Sequence, residues 1–160
     1  MIAIDFDGTC VHKRRGKDGS LRLVSGADRA MLALKAAGHT LLLYSARSNR
    51  AARVDPELDP LVRAGVRRVN RARWEEDRVE AEKLYHEMLE FVEHELADIF
   101  DAIDDGLQGK PEADIFIDDR GVKHNDTGVY NSMDWIEIAE TYGDPDSVDD
   151  LFEEVEEELT

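Results

Sequence analysis

Three short groups of residues have the types and spacing to do chemistry together: Asp5-Phe6-Asp7-Gly8-Thr9, Ser45-Ala46-Arg47 and Asp118-Asp119-Arg120. Each stands at the end of a short apolar run, Ile2-Ala3-Ile4, Leu41-Leu42-Leu43-Tyr44 and Ile115-Phe116-Ile117 respectively. In extended backbone, residues two apart share a face, so Asp5 and Asp7 point one way while Phe6 faces the other. If the three ends meet, Asp118 and Asp119 bring the cleft to four carboxylates. That crowding is tolerable only when some are protonated or a hard divalent cation is bound. Magnesium suits such an all-oxygen set, because it is hard and commonly keeps several waters. Zinc is disfavoured: none of the five histidines forms a ligand pair beside these acids, and the single cysteine, Cys10, excludes both a cysteine cluster and an internal disulfide.

Something must bring the three ends together, and the apolar pattern predicts what. The runs ending at Ile4, Tyr44 and Ile117 are too short for buried helices and continuously apolar, as strands covered on both faces are. Lys17-Asp18-Gly19-Ser20, between two short extended arms, predicts a small basic hairpin or flap. Ser25 opens a predicted helix with Ala27, Ala30, Met31, Leu34 and Ala37 at helical spacing, Asp28 as the partner of a capping box and Gly38 at the stop. A short helix is expected between Pro56 and Ala64, and Gly65 to Asn70 reads as a third, weaker strand. From Trp74 to about Asp105 there is no Pro or Gly, and Leu84, Tyr85, Met88, Leu89, Val92, Leu96, Ile99, Phe100 and Ile103 step by threes and fours, predicting one long amphipathic helix or two. Its stripe packs on the body or on a second copy of the chain, as a homodimer seam. Asp134 caps a helix to about Tyr142, and residues 144–160 form an acidic tail or helix. The expectation is an α/β fold: a doubly wound, Rossmann-like parallel sheet in one domain, 1–143, with a helical insertion of about 74–105 after the third strand. In such a sheet ligands bind beyond the carboxyl ends of the strands, where the three groups stand.

Composition narrows the classes. The chain has 160 residues, enough for one domain with a proper core, and 42% are hydrophobic. No apolar run approaches the roughly 18 residues of a membrane span. Strand-like residues begin at Ile2, leaving no room for a signal peptide, so the expected location is cytoplasmic. The net charge of −17 is blocked out along the chain: the segments from Cys10 to Arg22 and from Arg47 to Arg73 are locally basic, while Trp74 to Gln108 and the last residues from Asp144 are acidic. Long-range repulsion disfavours general coating of nucleic acid, while a local basic rim can still hold a phosphate-bearing ligand. Cys10 reads as a half-buried spectator, and Trp74 and Trp135, each opening a predicted helix, as core or cap packing.

An apolar strand ending in Asp-x-Asp-Gly-Thr, a later strand ending in Ser, a Lys, and a last strand ending in Asp-Asp, in that order, resembles the haloacid dehalogenase superfamily of phosphotransferases and phosphatases. The likeness covers roughly Met1 to Asn70 and Gly109 to Gly143 and is closest to small members with a minimal cap. It implies a Mg²⁺-dependent phosphomonoester hydrolase in which Asp5 is the nucleophile that forms an aspartyl-phosphate. Asp7 would be the general acid and then the base, so the two carboxyls must differ in pKa: Asp5 ionised, and Asp7 raised by crowding beside Asp5 and by partial burial. Ser45 would hydrogen-bond a phosphoryl oxygen, with Gly8, Thr9, Ala46 and Arg47 lining the substrate. Gly8 would allow the tight turn and the Thr9 hydroxyl would tie it down. Asp5, Asp7 through its carbonyl, Asp118 and Asp119 would hold the magnesium. The implied substrate is a phosphorylated small molecule, a nucleotide or a nucleic-acid end.

The phosphate-binding lysine of that pattern falls on Lys110. It lies eight residues before Asp118, roughly 26 Å at about 3.3 Å per residue, so it reaches the site only if the chain doubles back at Pro111. Otherwise Arg47, Lys83 or Arg120 must supply the charge. Two other classes fit less of the pattern: a protein of this fold that binds a partner through the long helix without turnover, and a receiver-like domain phosphorylated on Asp.

Overall fold

The structure is a computed structural model, and it describes residues 1–48, 55, 57, 60–66, 68–106, 111–119 and 134–149. Its centre is a four-stranded, all-parallel sheet in the order β3-β2-β1-β4, made of β1 (Ile2–Ile4), β2 (Leu41–Leu43), β3 (Ala102–Ile103) and β4 (Ile115–Ile117). All of β1 and β2 is buried, on both faces of the sheet, which is why these strands are uninterrupted apolar runs. Ile4 pairs with Leu43 on one side and Ile117 on the other, so β1, β2 and β4 end level with one another. The chain moves outward through β2 to β3 and then returns to the far side of β1. The strand order thus reverses at β1, and parallel sheets open a crevice at the carboxyl end of such a reversal.

Helix α1 (Ala27–Ala36) buries Ala27, Ala30, Met31, Ala33 and Leu34, the predicted stripe. It starts one residue later than expected. Gly26, at φ 76°, is the N-cap and no side chain caps the helix, so Ser25 and Asp28 form no capping box there. The Val11 and Leu23 arms do pair antiparallel, with Gly16 N donating to Ser20 O at 2.9 Å, so the basic hairpin is present. Of the helix expected from Pro56 to Ala64, a single turn stands at α2 (Pro60–Arg63).

The third strand is not where the sequence put it. None of the described residues of 65–70 is in a strand. Val66 is 76% exposed, and the Asn70 side chain caps the next helix by accepting from Arg73 N at 3.2 Å. An Asn before a helix is a strong cap, and that preference wins over a weak apolar alternation with nothing to bury. Helix α3 (Arg71–Glu95) therefore follows β2 directly and is the crossover to β3, rather than an insertion after a third strand. It ends ten residues before the expected limit. Leu96 and Ile99 stay buried in a turn that includes Asp98 at φ 63°, and Ile103 lies in β3, so the apolar spacing runs on after the helix has stopped. Trp74, Met88 and Val92 are the buried positions of α3, and Met88 and Val92 pack it on the body.

β3 is held at the sheet edge partly by a side chain: Asp101 Oδ2 accepts from Leu41 N at 2.8 Å while Lys35 Nζ donates to Asp98 O at 2.9 Å. Helix α4 (Trp135–Tyr142) is capped by Asp134 and stops at Gly143, as expected, and packs on α1. Beyond it 145–149 are helical, with Asp144 Oδ2 accepting from Ser147 N at 3.1 Å; the rest of the predicted acidic tail lies outside the described residues. Among the described residues no helix is long and apolar enough to cross a membrane.

Candidate functional site

Asp5 is the first residue past β1, and its N–H donates to the Ile117 carbonyl at 2.9 Å, which sets it beside Asp118, the first residue past β4. The chain then turns sharply. Cys10 N and Val11 N both donate to Phe6 O, Gly8 N donates to Val11 O at 2.7 Å, and Gly8 sits at φ 85°, where a side chain would be strained. Phe6 faces away from the acids into the core, edge-on to Phe91 of α3 at 5.8 Å between centroids. The loop is tied down, but not by the Thr9 hydroxyl, which is buried without a hydrogen-bond partner among the described residues. The Thr9 carbonyl accepts from Trp135 Nε1 at 2.9 Å instead. An indole N–H delivered from the core by α4 does what the hydroxyl was expected to do, and it accounts for the burial of Trp135.

Past β2, Ser45 is buried and its Oγ accepts from Arg47 N at 3.2 Å, which leaves its own proton for another acceptor. Ala46–Ser48 form a single 3₁₀ turn that points the Arg47 side chain back over the Phe6 ring, 5.1 Å from its centroid. There the guanidinium meets Asp7 in a two-pronged contact, Nε to Oδ2 at 2.8 Å and Nη2 to Oδ1 at 2.7 Å. Its third nitrogen donates to Leu84 O at 3.1 Å and Glu87 Oε2 at 2.9 Å, both on α3. The Arg47 side chain is only 9% exposed. Glu87 is in turn held by Arg15 of the flap, Nη2 to Oε2 at 2.7 Å. The Arg15 guanidinium, with Arg47 beside it, draws the Glu87 carboxyl down to about 2. Asp119 is nearly buried and paired with Lys13, also of the flap.

The acid under strain is Asp5, the one expected to be the ionised member of the pair, because it is the more deeply set of the two. Burial, with the charges of Asp7, Asp119 and Asp118 adding to it against a hydrogen bond from the Phe6 backbone, pushes its carboxyl up to about 6. Burial also pushes the Cys10 thiol up, and its Sγ donates to Asp5 O at 3.3 Å, so Cys10 is an inert part of the turn.

Of the residues singled out in the sequence, Asp5, Asp7, Gly8, Thr9, Ser45, Ala46, Arg47, Asp118 and Asp119 come to one end of the sheet. Lys83 does not join them: it is exposed on α3 and 3.8 Å from Glu80. Lys110 and Arg120 lie outside the described residues. Sequence reasoning missed Glu87 and Lys13. A signal existed only for Lys13, which belongs to the basic flap; Glu87 is one acid among many on an acidic helix.

The donors at this end are carboxylate and carbonyl oxygens, the type that suits a hard divalent cation, and the charge pressing on Asp5 is what such an ion relieves. As placed, Asp7 turns to Arg47 and Asp119 to Lys13, and among the described residues no three His, Cys, Asp or Glu side chains are grouped to hold a metal ion. Comparison of the chain with protein-family models, with curated proteins and with solved structures finds no match.

Proposed function

We propose that the protein is a phosphomonoester hydrolase of the haloacid dehalogenase type, working through an aspartyl-phosphate on Asp5. The observation that carries this is the crowding of Asp7, Asp118 and Asp119 around a half-buried Asp5 where β1 and β4 end side by side. The doubly wound arrangement expected of such an enzyme belongs to the same proposal; the parallel sheet and the reversal of strand order at β1 support it.

In the first step an Asp5 oxygen bonds to phosphorus as the bond from phosphorus to the leaving oxygen breaks, and Asp7 gives that oxygen its proton. In the second, Asp7 takes a proton from water. The resulting hydroxide attacks phosphorus, the acyl-phosphate bond breaks, and Asp5 is regenerated with release of inorganic phosphate. Arg47 engages both oxygens of Asp7, so one contact has to be given up before that carboxyl carries a proton. Asp7 is 40% exposed, which leaves it room to turn. The Ser45 hydroxyl donates to a phosphoryl oxygen. Asp5, Asp119 and the Asp7 carbonyl, with Asp118 beside them, would hold magnesium, which when bound offsets negative charge on the transferring group.

The test is hydrolysis of p-nitrophenyl phosphate in MgCl₂ by the full chain. Turnover that falls at least about 10³-fold in Asp5→Asn is the expected result, since removal of a nucleophile leaves only binding and electrostatics. A second reading is a binding protein of the same fold, using α3 as a partner surface. What favours it is that Asp7 and Asp119 are both already paired with cations. Absence of turnover across nucleotides, sugar phosphates and 3′-phosphorylated oligonucleotides would decide for it.

A further inference from the structure

An anionic phosphate enters a cleft bounded by Asp5, Asp7, Asp118 and Asp119 only against cations, and one divalent ion among four carboxylates leaves the cleft net negative, so a side-chain cation has to meet the phosphate as well. Arg47 is poorly placed for this: it is 9% exposed, with every guanidinium nitrogen donating to Asp7, Leu84 O or Glu87. Arg15 is spent on Glu87 and on Gly19 O, at 3.0 Å. Lys83 pairs with Glu80 on the solvent side of α3.

Lys13 differs from all three. It rises from the flap, its stem crosses directly over Gly8, and its ammonium pairs with Asp119 at the edge of the acidic cleft. A Cβ placed on Gly8 would stand 2.6 Å from Lys13 Cε and 3.0 Å from Asp119 Oδ2, so the missing side chain at Gly8 is what lets the lysine lie across the turn. The side chain is nevertheless 65% exposed while Asp119 is 11% exposed, so the charge is anchored at one end and open to solvent at the other. An ammonium on a flexible stem trades one partner for another easily, where a two-pronged guanidinium does not.

We propose that, among the described cations, Lys13 is the one that receives the phosphoryl oxygens of the substrate, swinging from Asp119 to the incoming phosphate. This rests on the hydrolase proposed above, which it deepens by moving phosphate recognition onto the flap between β1 and α1.

The experiment uses the full chain in MgCl₂, with p-nitrophenyl phosphate kinetics and a calorimetric titration with inorganic phosphate, on wild type, Lys13→Ala, Lys13→Arg and, at the exposed flap tip, Lys17→Ala. Lys13→Ala raises KM and weakens phosphate binding, each about 10- to 100-fold, the worth of one charge-assisted contact. Lys13→Arg recovers most of this, and Lys17→Ala stays within about twofold of wild type. Unchanged phosphate affinity in Lys13→Ala, an equal loss in Lys17→Ala, or no phosphate binding by the wild type would each overturn the assignment. The titration separates the two proposals. Phosphate binding that is lost in Lys13→Ala, in a wild type without turnover, supports Lys13 and sinks the hydrolase, whereas turnover indifferent to Lys13 does the reverse.

Discussion

At the scale of single residues, the site is a problem in placing negative charge. Asp5 is raised from its ordinary 3.8 to about 6, first by burial and then by its neighbouring carboxylates. For an acid raised in this way the native state holds its proton more tightly than the unfolded chain, so stability falls as pH rises from about 4 to about 6 and stays reduced above that. In metal-free protein, Asp5→Asn should therefore be more stable than wild type at pH 7 to 8, by about 1 kcal/mol once solvent screening at this half-buried position is allowed for. The gain should vanish below about pH 4, where both forms of the wild type are protonated. Urea unfolding in EDTA at the two pH values checks it, and an asparagine variant equally or less stable at pH 8 would mean that the charge on Asp5 is already compensated. Most of the acids in this cluster were legible in the sequence because each stands directly after an apolar strand, where chain direction alone brings it to the sheet edge. Arg47, which meets Asp7, was legible in the same way at the end of the second strand, but Lys13 and Glu87 were not. Glu87 and Lys13 meet the site through pairs 40 and 106 positions apart, Arg47 with Glu87 and Lys13 with Asp119, and nothing in local spacing marks either contact.

At the scale of elements, Arg47 joins three: the loop after β1 through Asp7, the turn after β2 from which it springs, and α3 through Leu84 O and Glu87. It reaches the basic flap at one remove, because Glu87 also binds Arg15. Arg47→Met keeps the stem over Phe6 but removes the charge that holds two carboxylates together. Breaking a fully buried pair costs about 3–5 kcal/mol, whereas Asp7 and Glu87 are 40% and 30% exposed and water can reach them, so a loss of about 2 kcal/mol in urea unfolding is expected. Combined with Glu87→Gln the loss should be less than additive, since both substitutions remove one contact. Strict additivity would show that Arg47 and Glu87 contribute independently, with no energy in the contact between them. The same helix shows where sequence patterning stops. Its start was read within three residues, yet its end was overshot, because Leu96, Ile99 and Ile103 keep a helical rhythm through a turn and into a two-residue strand. Strands as short as β3 carry no period of their own. Its place in the sheet comes from Asp101 N and Asp104 N donating to the β2 carbonyls, which a linear pattern does not display.

At the scale of the whole molecule, 37 acids face 20 bases, a net charge of −17, and much of the excess lies on α3 and the residues that follow it. Exposed pairs such as Arg73 with Asp77 at 3.5 Å and Arg78 with Glu75 at 3.8 Å are each worth about 0–1 kcal/mol and weaken with salt, while repulsion among the unpaired acids weakens too. The excess of like charge decides the sign. Raising KCl from about 0.02 M to about 0.5 M shortens the screening distance several-fold and should lift Tm by about 3–6 °C. This general effect has to be separated from occupancy of the site. At matched ionic strength, MgCl₂ should add a further rise in wild type, because a ligand that binds only the folded state stabilises it by mass action. In Asp5→Asn that extra rise should be absent, and the KCl response unchanged. If wild type and Asp5→Asn gain equally from MgCl₂, the ion is reading the acidic surface at large, and the convergence of Asp5, Asp118 and Asp119 serves some purpose other than holding a divalent cation.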